Sequence, residues 1–159
     1  MMTGSEARTE APRPEVAARQ AIMALAGAAT LAELRDAMAA ACLAEEAQDL
    51  RAPETGLVMT RGRIGGDGRA FNLGEATVTR AAVRLPSGET GFAYHLGRDR
   101  PKARLAAILD AHWQAPERRA AVEAALSGIV ARREQEAQAH ARRTAATRVN
   151  FFTLVRGED

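Results

Sequence analysis

Apolar residues return at two different periods along this chain, and the change of period divides it. From Pro14, which suits the first turn of a helix, Val16, Ile22, Met23, Leu25 and Ala26 form one apolar side, and Gly27 closes or weakens the helix end. Thr30 stands three residues before Glu33, the spacing of a capping box. Leu31, Leu34, Met38 and Cys42 then recur at steps of three and four. Two helices joined by so short a link predict an antiparallel hairpin. After Pro53 the period falls to two. TGLVMTRGRI (55–64), EATVTRAAVRL (75–85) and TGFAYHL (90–96) are rich in Val, Thr and aromatic residues, and GGDG (65–68) and PSGE (86–89) supply turns between them. The pattern predicts a three-stranded antiparallel meander with an edge left open to a partner's strand.

Helical spacing resumes at Asp99, a candidate N-cap, with Pro101 in the first turn and a stripe of Leu105, Ile108, Leu109, His112 and Trp113. Pro116 ends that helix or opens the next, which carries Val122, Leu126, Ile129 and Val130. Beyond Arg132 the helix is charged or alanine throughout, as suits a solvated face or one laid on a neighbour through its alanines. The fold class expected is α+β: an N-terminal helical hairpin, a meander of about three strands, two C-terminal helices and an extended apolar tail. Residues 1–13 read as a disordered lead, 14–159 as one domain, and 147–159 as a tail that binds a partner.

Composition narrows this modestly. At 159 residues the chain suits a single domain, and only six residues are aromatic. Phe151 and Phe152, half of the four phenylalanines, stand together in TRVNFFTLVRGED (147–159). In an extended segment they point to opposite faces, so at most one reaches this domain's own core unless something covers the other. A strand docked in cis is one answer. A partner surface that collects Arg148, Val149, Phe151, Phe152, Leu154 and Arg156 is the favoured one, because exposed apolar clusters commonly mark interaction surfaces.

Cys42 is the only cysteine, which excludes an internal disulfide and reads as a small apolar residue of a reducing compartment. The first residues hold acids and no apolar run, against a secretory signal, and no uninterrupted apolar stretch reaches membrane-spanning length. The expected location is cytoplasmic.

Candidate chemistry is sparse. GRIGGDGRAFNLG (62–74) offers glycines for a phosphate loop, but strand residues follow where a helix N-terminus is needed, so a hairpin turn fits better. His95, His112 and His140 have no metal-ligand spacing, and His112 beside Trp113 reads as a hydrogen-bonded core histidine. Between Arg61 and Arg104 lie eight arginines and Lys102 against four acids, a local charge of +5 in a chain whose net charge is +2. Arg80 and Arg84 share a strand face and, with Arg98, offer a clasp for a phosphate or a partner's carboxylates. The plain alternative is a solvated sheet face. Glu54, just before the meander, is a further anion-site or partner candidate, or a turn residue. A free-standing nucleic-acid binder remains a rival on charge alone, without a recognisable binding motif.

In combination, these segments resemble the G subunit of the bacterial carbon–phosphorus lyase system, the PhnG family. Glu54-Thr55-Gly56-Leu57-Val58, Gly65-Gly66, Ala76-Thr77, Thr79-Arg80-Ala81-Ala82-Val83-Arg84-Leu85 and Gly97-Arg98-Asp99 carry the resemblance. Ala146-Thr147-Arg148-Val149, Phe151-Phe152-Thr153 and Val155-Arg156-Gly157 extend it through the tail, with Asn150 where aspartate is expected. The resemblance implies assembly with the H, I and J subunits, the I subunit most directly, and functional cooperation with the L subunit. It implies a role in transferring an alkylphosphonate to ribose C1 of ATP, with magnesium, and release of adenine. The iron–sulfur cluster and S-adenosylmethionine of the system belong to the J subunit, and no cofactor is expected in this chain.

Overall fold

A computed structural model of the protein describes residues 13–65 and 68–147. The lead at 1–13 therefore lies outside the described residues except for Arg13, and the tail at 147–159 except for Thr147. Helix α1 (Pro14–Ala28) and helix α2 (Leu31–Ala40) are the two N-terminal helices expected, joined by Ala29 and Thr30. Both arms of the capping box are made: the Thr30 hydroxyl accepts from the Glu33 N–H at 3.2 Å, and the Thr30 N–H donates to the Glu33 carboxylate at 2.7 Å. Ile22, Ala26, Leu34 and Met38 are buried as the stripes require, whereas Val16 is exposed. Cys42 departs from expectation. The helix stops at Ala40, and Cys42 sits exposed at a positive φ of 51°, outside the apolar stripe.

Strands β1 (Gln48–Gly62), β2 (Phe71–Arg84) and β3 (Thr90–Leu96) form an antiparallel sheet in the order β1-β2-β3. The meander is as read, but β1 begins seven residues before Thr55 and runs through Pro53. Proline is tolerated there because β1 is an edge strand, with register shifts between Asp49 and Glu54. The PSGE turn closes with Gly88 at φ 109°.

Helix α3 (Arg100–Gln114) crosses one face of the sheet and is the centre of the molecule. Asp99 caps it by accepting from the Lys102 N–H at 3.0 Å. Leu105, Ile108, Leu109, His112 and Trp113 are buried as the stripe predicts, but so are Ala103, Ala106, Ala107 and Ala111. The helix is enclosed by the sheet, by α1 and α2, and by helix α4 (Pro116–Ala125). The alanines let its backbone come close to β3 at Gly91, where a Cβ would overlap Ala107 and Ala111. The second C-terminal helix is divided at Leu126 into α4 and helix α5 (Ser127–Ala146). Leu126 and Val122 are fully buried, and Ile129 is the only buried residue of α5. Arg132 ties α5 to the Glu33 carboxylate at 2.5 and 3.1 Å. Beyond Glu136 every residue of the helix is exposed except the half-buried Ala139.

Candidate functional site

The candidate residues on the sheet face opposite the helices are set by register. Glu54 pairs with Arg80, and Arg80 pairs with Tyr94, so the three form one row across the sheet. The Arg80 Nε donates to the Glu54 carboxylate at 2.7 Å, and Arg51 Nη1 donates to the same oxygen at 2.6 Å. These two arginines, Arg51 first, hold the Glu54 carboxyl below its usual range. About half of each side chain is exposed, so the network is a wet surface one, worth little to folding. Arg80 is thus already engaged by a carboxylate of its own chain.

The arginine clasp does not form as expected. Arg84 lies opposite Gln48 and Thr90, where β3 begins. Arg98 lies two residues past Leu96, where β3 ends. A seven-residue strand separates them, about 20 Å at the usual rise, so Arg80, Arg84 and Arg98 cannot share one phosphate. Arg84 instead borders a shallow surface recess with Glu46, Gln48 and Pro86. The 62–74 segment joins β1 to β2, a hairpin connection and not a phosphate loop. Arg148, Val149, Phe151, Phe152, Leu154 and Arg156 lie outside the described residues.

The polar groups inside the molecule act as ties between elements. Asp110, 1% exposed, accepts from Arg19 Nε at 2.9 Å and Nη2 at 2.7 Å, and from the Phe92 N–H at 2.9 Å. One carboxylate thereby joins α1, α3 and β3. The guanidinium also lies 5.8 Å from the Phe92 ring centroid. His112 receives a hydrogen bond from Arg118 Nη1 at 2.7 Å on Nδ1, which requires the Nε2–H tautomer, and donates from Nε2 to the Ala44 carbonyl at 2.9 Å. Burial, reinforced by the charge of Arg118, lowers its pKa. It is the core histidine that its position predicted.

Trp113 Nε1 donates to Glu123 at 2.9 Å, with Arg119 stacked 4.3 Å from the ring centroid. Buried Thr79 donates to the Gly97 carbonyl at 2.7 Å, and Lys102 Nζ donates to the Gly27 carbonyl at 2.7 Å. Among the described residues no buried side-chain polar atom lacks a partner. Nor does any trio of His, Cys, Asp and Glu among them converge as a metal site.

The residues that stand out were not singled out from the sequence. β1 and β2 are 15 and 14 residues long, whereas β3 has seven. β3 ends opposite Val78, and Gly97 closes it by donating to the Thr77 carbonyl at 2.9 Å. Over Leu57–Gly62 and Phe71–Thr77 the β1–β2 ribbon is therefore two-stranded. Register divides the apolar residues of the ribbon between its two sides. Leu57 and Met59 continue the side on which Thr79, Ala81 and Val83 are buried. The shift between Thr60 and Arg61 pairs Phe71 with Gly62 and lays Leu73 against the Cβ position of Gly62, on the opposite side. On the ribbon Leu57, Met59, Leu73 and Phe71 are 59%, 53%, 63% and 40% exposed. The signal available was a set of large apolar residues at 57, 59, 71 and 73 in strands twice as long as the third.

Comparison with known proteins supplies what this geometry does not. The family model described as "Phosphonate metabolism protein PhnG" matches residues 17–157. A protein of Rhizobium meliloti (strain 1021), named "Alpha-D-ribose 1-methylphosphonate 5-triphosphate synthase subunit PhnG", is 54% identical over 144 residues, covering 91% of this chain and 92% of that one.

Proposed function

This chain belongs to the PhnG family of phosphonate metabolism proteins, and from that membership we propose that it is a subunit of an alpha-D-ribose 1-methylphosphonate 5-triphosphate synthase. In the reaction a phosphonate oxygen bonds to ribose C1 of ATP, the glycosidic C–N bond breaks, and adenine leaves with the electron pair and a proton. Within that assembly this chain acts as a scaffold, and the groups that displace the base belong to other subunits.

The observation that carries the reading is 54% identity across 91% of the chain to a protein that is named as such a subunit. The internal chemistry is consistent with it. Asp110, His112, Thr79 and Trp113 are all committed to holding elements together, and Glu54 and Arg80 neutralise each other. The partners in this reading are the H, I and J subunits of the carbon–phosphorus lyase core, with the L subunit joining functionally. Residues 147–159 lie against the I subunit. ATP with magnesium, and the iron–sulfur cluster and S-adenosylmethionine of the J subunit, are held by those other chains, in the cytoplasm. Among the described residues no helix is long and apolar enough to cross a membrane.

The test is adenine release from ATP and methylphosphonate by purified H, I and L subunits, with and without this chain. Release is expected only with the chain present, and none from the chain alone. Turnover by the isolated chain, or undiminished turnover in its absence, overturns the proposal.

A further inference from the structure

The sheet has two edges, and the chain treats them differently. On β3 the outward backbone groups are occupied from within. The Thr90 carbonyl accepts from Gln114 Nε2 at 2.6 Å, the Phe92 N–H donates to Asp110 at 2.9 Å, and the Leu96 carbonyl lies 2.9 Å from His95 Nδ1. β1 is the other edge. Because Gly97 donates to the Thr77 carbonyl, Thr77 turns its backbone groups toward β3, and alternation along an antiparallel ladder turns those of Ala76 and Val78 toward β1. There they meet Val58 and Gly56. The N–H and C=O groups of Thr55, Leu57 and Met59 therefore point away from the sheet, and none of them meets a partner among the described residues.

Natural edge strands are blunted by proline, bulges or charge. β1 carries these devices on either side of the open run and not within it. Pro53 and the register shifts between Asp49 and Glu54 precede the run, and the shift between Thr60 and Arg61 follows it. In between, Thr55-Gly56-Leu57-Val58-Met59 is regular, uncharged and free of proline. Leu57 and Met59 stand exposed on one side of it and Val58 is half-buried on the other, so an added strand finds apolar neighbours on both sides. We propose that this run is completed by an extended segment of another subunit of the synthase, which adds a fourth strand beside β1. The proposal rests on the reading of the chain as an assembly subunit and adds the place and the mode of contact.

Charge selects the occupant. Arg51 lies at one end of the run, tied to Glu54. Arg61 and Arg63 lie at the other end, with no carboxylate partner among the described residues. Two copies paired antiparallel across the run would bring Arg61 and Arg63 of each beside Arg51 of its mate, like charges on neighbouring strands. A segment of a different chain escapes that conflict, and Asp or Glu at the end that meets Arg61 and Arg63 gains by the same geometry. Its apolar residues fall at alternate positions, beside Leu57 and Met59.

The chain is co-expressed with the H, I and J subunits and purified by a tag on this chain, and amide exchange is read residue by residue in the complex and in the chain alone. Strand addition should slow Thr55, Leu57 and Met59 at least tenfold and change Gly56 and Val58, already bonded to β2, much less. Contact through a sheet face does not produce that alternation. Leu57→Pro removes one outward N–H, spares the β1–β2 ladder and places proline on an edge strand, where Pro53 already stands. It should melt close to the parent and recover at least fivefold less of the other subunits. Leu57→Ala, which keeps the N–H, should recover within about twofold of the parent, and Arg61→Glu/Arg63→Glu severalfold less. The exchange readout stands even if the proline variant fails to fold. Full recovery by Leu57→Pro, an equal loss in Leu57→Ala, or unchanged exchange at Thr55, Leu57 and Met59 overturns the added strand while leaving the subunit reading intact. Protection in the chain alone that rises with concentration means a second copy, and protection there that disappears on removing residues 148–159 means the chain's own tail; each also overturns it. If the unaltered chain recovers no other subunit, the subunit reading falls and the added strand falls with it.

Discussion

Asp110→Asn tests whether one carboxylate holds three elements in place. The substitution keeps the shape but replaces an oxygen with an amide. In the native site three donors converge on two oxygens, at 2.7 to 2.9 Å. An asparagine whose oxygen takes the place of Oδ2 still accepts from both the Phe92 N–H and Arg19 Nη2, but it turns its NH2 toward the Arg19 Nε–H, donor against donor. At least one charge-assisted bond is lost, about 1.5–3 kcal/mol. The Arg19 side chain is 31% exposed and can swing partly into water, which trims the penalty. The expected loss is about 2 kcal/mol, or roughly 6 °C in melting temperature for a domain of this size.

Urea and thermal unfolding followed by the fluorescence of Trp113, the single tryptophan, buried three residues away, provide the assay. Arg19→Met combined with Asp110→Asn should cost clearly less than the sum of the two single changes, because the double variant leaves no unpaired charge. The loss should change little with salt, since the pair is shielded. A melting temperature within about 2 °C of the parent's, or additive single effects, refutes the reasoning.

Burial, with Arg118, depresses the His112 pKa below 6.5, so the unfolded chain binds the proton better. The stability this gives is present above pH 6.5 and is lost as pH falls through that value toward the depressed one, and His112→Gln should flatten that part of a stability–pH curve. Gly91→Ala drives a methyl into the α3 backbone at Ala107 and Ala111 and should cost about 3 kcal/mol in urea unfolding; near-parental stability would show that α3 can shift away. Removing residues 147–159 should abolish co-purification with the I subunit, and unimpaired recovery would show that the tail is no contact. Arg80→Ala, Arg84→Ala and Arg98→Ala should each leave adenine release by the reconstituted synthase within about twofold, a small fraction of a catalytic group's usual contribution; a loss of turnover in a fully assembled complex would place that arginine in the active site.

Local chemistry was legible where a few neighbouring residues decide it. The capping box at Thr30, the Asp99 cap, the Thr90–Leu96 strand and the buried ring of His112 all followed from spacing and residue type. What escaped depends on contacts distant in sequence. Arg19 and Asp110 are 91 positions apart, and no periodicity links them. Pro53 looked like a strand breaker, but at the outer edge of a sheet its missing N–H faces no strand. Alanines on α3 looked neutral until the helix was found enclosed on nearly all sides. The break at Leu126 had a faint signal in Ser127-Gly128, overridden in reading by the apolar residues on either side. The arginine clasp failed because residues on one face can still sit at opposite ends of a strand. The exposed apolar residues of the ribbon were hidden because alternation shows neither a register shift such as that between Thr60 and Arg61 nor what covers a residue.

Lys102, the single lysine among 22 basic residues, spends its ammonium on the last turn of α1. Burial lowers its pKa, yet the hydrogen bond to Gly27 occupies the nitrogen. Amine-directed reagents consequently find one side-chain target in the whole polypeptide, and acylating it severs the strut between two helix ends. The rate of that modification becomes a gauge of how often the α1–α3 junction opens, and cross-linking studies of the assembly must draw on carboxylate or thiol chemistry instead.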